Sequence, residues 1–98
     1  MLKTEFNEEK NAFLKLTRGI NFEDILSAID KGGLLDDIQN PSKNHPNQRV
    51  FLVKIKNYVY LVPYVQDKKS LIFLKTLYPS RLFTKSYLKK YDKKNYKK

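Results

Sequence analysis

Apolar positions along this chain change period twice. Near the start, Phe13, Leu16 and Ile20 recur at helical spacing behind Asn7, a residue type that caps helices, and Glu8 and Glu9 in the first turn complement the helix dipole. Gly19 suits a left-handed stop. A second helix follows, with Asn21 as its cap, Glu23 and Asp24 in its first turn, and Ile20 and Ile25 spaced as a hydrophobic staple. Phe22, Ile25, Leu26 and Ile29 form its apolar stripe, and Gly32-Gly33 ends it.

From Leu34 the period shortens. Residues 34–39 predict a short strand, and NPSKNHPNQ (residues 40–48) reads as a loop. Three strand-like runs follow. In the first, Phe51, Val53 and Ile55 alternate with Leu52, Lys54 and Lys56. In the second, Tyr58, Tyr60, Val62 and Tyr64 alternate with Val59, Leu61, Pro63 and Val65. The third spans residues 71–78. Short links at 56–57 and 67–69 predict an antiparallel meander, with a bulge or an unpaired amide at Pro63. Ser80 would cap a last helix carrying Leu82, Phe83, Tyr87, Leu88 and Tyr91, beyond which the chain reads as a charged tail. The expectation is an α+β domain with helices on one face of a curved antiparallel sheet and tyrosines with basic side chains on the other.

Charge sharpens this picture. Residues 1–40 carry five Lys/Arg against eight Asp/Glu, whereas residues 41–98 carry fifteen against two and all seven tyrosines. A field so uneven suits a polyanion, and phosphate backbones are the commonest one in cells. Aromatic rings stack bases while Lys and Arg track phosphates. The bland alternative, a lysine-rich solvated surface with tyrosines covering core, stays open. Ninety-eight residues make one domain (1–98, with about 92–98 as a flexible basic tail). The absence of cysteine excludes disulfides and thiolate metal sites, and a lone histidine supplies no metal cluster. No metal or cofactor is expected. The start of the chain has no signal-peptide run, and no uncharged stretch approaches the roughly 18 residues of a membrane helix, so a cytoplasmic protein without membrane contact is expected.

Two stretches carry a resemblance. FNEEKNAFLKLTRGINFEDI (residues 6–25) resembles the opening of the BrnT family of toxins, through Phe6, Glu9, Lys10, Asn11, Gly19, Ile20, Phe22 and Glu23. FLKTLYPSRLFTKSYLKK (residues 73–90) is similar to that family's closing strand, turn and basic helix, with Arg81 where the family places an arginine. The chain departs from the pattern at Arg18, where relatives often have His, and at Pro79. The resemblance implies a RelE-like fold: two N-terminal helices packed on a curved antiparallel sheet of three to four strands, followed by a C-terminal helix. It implies the toxin of a bacterial type II toxin–antitoxin pair, a metal-independent endoribonuclease, held by a cognate antitoxin encoded by an adjacent gene in a higher-order complex.

Such cleavage needs a proton acceptor for the ribose 2′-hydroxyl, cations for the charge gathering on phosphorus, and a donor to the leaving oxygen. Arg81 is the first candidate, because a guanidinium suits two phosphate oxygens. Lys75 and Tyr78 complete the expected catalytic set. Arg49, Lys54, Tyr64, Lys85 and His45 are candidate RNA contacts. Three readings remain: a ribonuclease toxin, a non-catalytic nucleic-acid-binding module, and an interaction protein that meets an acidic partner.

Overall fold

The computed structural model describes residues 3–96, and their side chains as far as Leu88. Its elements are β1 (Thr4–Phe6), α1 (Glu8–Arg18), α2 (Phe22–Asp30), β2 (Leu34–Gln39), β3 (Arg49–Ile55), β4 (Tyr58–Gln66), β5 (Ile72–Leu74), β6 (Tyr78–Pro79) and α3 (Arg81–Tyr96). The class is α+β, and the sheet is mixed and six-stranded. Its order is β1-β5-β4-β3-β2, with β6 also paired to β4.

The predicted caps are present. Asn7 Oδ1 accepts from the Lys10 N–H at 2.8 Å, and Gly19, at φ 75°, ends α1. Asn21 and Asp24 form a reciprocal capping box on α2. The buried Asn11 adds something the helical pattern does not disclose. Its Oδ1 accepts from the Phe22 N–H at 2.7 Å, and its Nδ2 donates to Glu23 Oε1 at 3.2 Å. Asn11 thereby satisfies a first-turn amide of α2 that has no partner within its own helix. That contact fixes how α1 lies on the sheet. Asn11 and Leu14 face inward, while Phe13 and Leu16 are 60% and 85% exposed, which reverses the stripe expected for this helix.

Both faces of β3 and β4 are covered. Phe51, Val53, Val62 and Tyr64 pack beneath α1 and α2 with Leu14, Phe22 and Ile25. Val50, Leu52, Val59 and Leu61 pack under α3 with Leu88. The open face expected to carry tyrosines and cations is therefore covered by α3, and Tyr58, Tyr60, Val62 and Tyr64 alternate toward the α1–α2 side. Full burial on two faces explains why β3 and β4 read as nearly continuous apolar runs. Burying a side chain such as Phe22 or Ile25 contributes roughly 1.5–3 kcal/mol.

The three-to-four-stranded antiparallel sheet needs two corrections. The short β1 pairs parallel to β5, and the run over 71–78 breaks into β5 and β6. Pro63 lies opposite that break. Its carbonyl accepts from the Lys75 N–H at 2.8 Å, so the side on which it lacks an amide faces the gap, and the β3–β4 ladder passes it in register. The bulge lies elsewhere, in β2 between Leu34 and Asp36. Ser80 caps α3 as expected, accepting from the Phe83 N–H at 3.1 Å, and the Thr84 hydroxyl binds the Val59 N–H at 2.9 Å to tie α3 to β4. Within α3, Leu82 is exposed, whereas Phe83, Tyr87 and Leu88 pack inward. Tyr91 and the basic tail expected at about 92–98 fall beyond the described side chains. Among the described residues, no helix is long and apolar enough to cross a membrane.

Candidate nucleic-acid interface

One open cleft of about 900 Å³ lies on the α1–α2 side, between the helix pair and the β3–β4 hairpin. From α1 it takes Lys15 and Arg18, which stand one turn apart on a shared face. From α2 it takes Asp24, Ser27 and Ala28, a helical stripe that the C-capping Lys31 continues, followed by Gly32 and Gly33. The hairpin supplies Lys54, Ile55, Lys56, Tyr58 and Tyr60.

Gly33 makes the floor. Its N–H donates to the Ala28 carbonyl at 2.7 Å and its carbonyl accepts from the Lys54 N–H at 2.8 Å. A Cβ there would stand 2.8 and 2.9 Å from the backbone oxygens of Ala28 and Lys54, so only glycine lets α2 approach β3 this closely. Lys54 meets the cleft edge-on. Its backbone is the bonded partner of Gly33, while strand alternation turns its side chain with Leu52 toward the α3 side.

The cations are not equivalent. Lys15 Nζ pairs with Asp24 Oδ2 at 3.2 Å, and that same oxygen accepts from the Asn21 N–H at 3.0 Å. Arg18, Lys31 and Lys56 have no ion-pair partner among the described residues. Two helix C-termini also open here, each carrying roughly half a negative charge, which the last-turn cations of α1 offset. Beyond them, the half-buried Tyr58 and Tyr60 sit edge to face, with centroids 6.1 Å apart and planes 65° apart. Tyr60 also rests against the core, so its position is tied to the sheet.

Most residues singled out from the sequence lie elsewhere. Lys75 is exposed with its ammonium 5.1 Å from the centre of the Phe73 ring. Because Ile72 and Leu74 face α1–α2, Phe73 and Lys75 belong to the α3 side. Tyr78 packs into the core beneath α3, opposite Leu61, and Arg81 is exposed at the first position of that helix. Among the described residues, none of these three hydrogen-bonds to another. Lys85 is an exposed residue of α3, and His45 is exposed in the 40–48 loop.

Arg49 and Tyr64 are committed to structure. Arg49 Nε meets Asp37 Oδ1 at 3.1 Å, and its Nη2 donates to the Asp37 carbonyl at 2.8 Å. Tyr64 is 4% exposed, stacks on Phe51 with centroids 4.1 Å apart, and donates its hydroxyl to the Asp37 carboxylate at 2.9 Å. Burial first, then the neighbouring Asp37 carboxylate, pushes the phenol up to about 12. This side chain therefore has no face left for a base. On the other side of β2, Asp36 accepts from the Tyr87 hydroxyl at 2.7 Å, and that bond holds its carboxyl below the ordinary range.

Lys15, Arg18, Lys31 and Lys56 escape a reading by charge balance, because the first three sit in the segment whose net charge is negative. A usable signal is present in position: Arg18 and Lys31 immediately precede the glycines that end α1 and α2, where a basic residue finishes each helix.

Comparison with protein-family models, with curated proteins and with solved structures finds no match. The fold and the cleft are what define this chain: an α+β domain with a basic, tyrosine-edged groove.

Proposed function

We propose that this protein binds RNA through the cleft between α1–α2 and the β3–β4 hairpin. The observation that carries this reading is the convergence of Arg18, Lys31 and Lys56, none ion-paired among the described residues, with two half-buried tyrosine rings in one concavity. Cations track phosphates and rings stack bases, so the two together favour a nucleic acid over a simple anion.

The BrnT resemblance supports a further reading, in which the same cleft grips RNA for cutting. That reading brings with it a RelE-like fold, a cytoplasmic location and an antitoxin laid over the cleft. In its favour is the element order, two helices on one sheet face and a closing helix after the last strand. Cleavage also needs a proton acceptor beside the phosphate. Among the described residues, the one carboxylate in the cleft lining, Asp24, is engaged by Lys15 and the α2 cap, and the lining has no imidazole. Binding is thus the function that the geometry supports best.

Incubating the purified chain with labelled RNA in EDTA tests both readings. The binding reading expects retarded RNA of unchanged length, and at least tenfold weaker binding for the Arg18→Ala/Lys31→Ala double variant. It fails if RNA is not retained at about 0.1 M salt, or if the double variant binds as the parent does. Shortened products under EDTA, together with growth arrest relieved by co-expression of the neighbouring gene, would instead favour the toxin.

A further inference from the structure

We infer that the cleft selects unpaired RNA over duplex, with Tyr58 and Tyr60 stacking on bases and Lys56 holding the adjoining phosphate. This rests on the RNA-binding reading above and narrows its ligand to a single strand.

Three observations carry it. The cleft, about 900 Å³ and of the size of a small-molecule site, sets Tyr58 and Tyr60 in a concavity rather than on a flat face. In a duplex the base faces are occupied by their neighbours and only the edges and backbone are exposed, so rings recessed in a cleft reach a base face only when the base is splayed out. A blunt duplex end does not escape this constraint. The two tyrosine planes are 65° apart and offer no common plane on which a terminal base pair could lie, whereas consecutive unpaired bases can tilt independently.

The hairpin turn is the third observation. Lys56 and Asn57 both have positive φ, 51° and 68°, the signature of a two-residue type I′ turn. Asn is at ease there; Lys is not, since its Cβ crowds the following carbonyl. A residue held in an unfavourable conformation at a cleft rim, two positions before the first stacking ring, points to a local use for its ammonium. The tight turn fixes the spacing between that charge and the Tyr58 ring.

The test compares an unstructured 12-nucleotide RNA with the same strand annealed to its complement, both at fixed salt, against the full chain. The single strand should bind at least tenfold more tightly. Tyr58→Leu keeps apolar cover while removing the ring and should weaken single-strand binding about tenfold, leaving duplex affinity in place; its melting curve is read alongside, because the edge-to-face contact with Tyr60 is lost. Tyr60→Leu is the second probe, read alongside its melting curve because Tyr60 also touches the core. Duplex binding as tight as the single strand overturns the inference, as does a Tyr58→Leu effect that is absent or equal on both forms. In either case, loss of binding in Arg18→Ala/Lys31→Ala would leave the RNA-binding reading standing. Failure of the parent chain to bind either form overturns both.

Discussion

Removing Lys31 should change how RNA binding responds to salt, by an amount the cleft's ion pairing sets. Three cations, Arg18, Lys31 and Lys56, have no acidic partner among the described residues, while Lys15 is neutralised by Asp24 at 3.2 Å. Each cation that neutralises a phosphate on a single strand releases counterions and adds about −0.7 to the slope of log affinity against log salt. Three contacts give a slope of about −2.1, so raising salt from about 50 to 200 mM weakens binding about twentyfold. With Lys31→Ala the slope should fall to about −1.4 and the loss to about sevenfold. The double variant Lys15→Ala/Asp24→Asn, which removes both charges of the pair, should barely alter it. The net charge of +10 adds a diffuse contribution to every variant, so the difference between slopes is the readout and their absolute value is not. Fluorescence anisotropy with a labelled 12-nucleotide RNA measures all three lines. Equal slopes for parent and Lys31→Ala, or an equal drop for Lys15→Ala/Asp24→Asn and Lys31→Ala, would refute this account of the cleft.

Other expectations concern the scaffold. Asn11→Ala strands the buried Phe22 N–H and should cost about 2 kcal/mol by chemical denaturation, against about 1 kcal/mol for losing the half-buried Asn21 cap; equal costs would remove Asn11 from the role of helix splice. Gly33→Ala forces apart Ala28 and Lys54 and should cost about 1–3 kcal/mol and loosen the cleft floor, whereas Gly32→Ala, at φ 92° with open space around it, meets the backbone penalty alone. The Tyr64 phenol sits at about 12 when folded and near 10 when unfolded, so its contribution is complete below pH 10 and is lost as pH rises toward 12. Parent protein should therefore lose about 2 kcal/mol more than Tyr64→Phe across that window, and parallel alkaline unfolding curves would count against it. Lys56→Asn should raise stability by about 0.5–1 kcal/mol, by relieving the turn, and should weaken RNA binding in the same molecule.

What was legible in the sequence depended on whether the cause was local. Caps at Asn7, Asn21 and Ser80, the stop at Gly19 and the tight link at 56–57 are set by residues within four positions of one another, and each forms as read. The inward face of α1 was not legible, because Asn11 is turned to the core by an amide of the next helix and Phe13 is turned away by the same rotation. Strand β1 is three residues long and exists only because β5 pairs with it in parallel. The open sheet face failed as an expectation for a related reason: Leu52, Val59 and Leu61 were already apolar on that side, a mark of burial on two faces that alternation alone overlooks. The cleft suffered most. It joins segments from positions 15 to 60, and a charge balance summed over blocks of sequence hides cations that a fold draws together from both.

Arg18 and Lys31 have an explanation that involves no ligand. Each stands at the end of a helix, where a cation offsets the dipole and is worth roughly 0.3–1 kcal/mol. Their presence in the cleft is therefore compatible with a protein that binds nothing there. Lys56 has no such account. It caps no helix, pairs with no acid among the described residues, and occupies a left-handed turn position that asparagine or glycine would fill at lower cost. The two explanations part on binding. If the cleft cations serve only the fold, Arg18→Ala and Lys31→Ala lower stability and Lys56→Asn changes stability alone. If the cleft serves RNA, all three variants weaken binding, and Lys56→Asn does so while the protein becomes harder to unfold. A gain of stability joined to a loss of affinity at one residue is an outcome that dipole compensation does not produce.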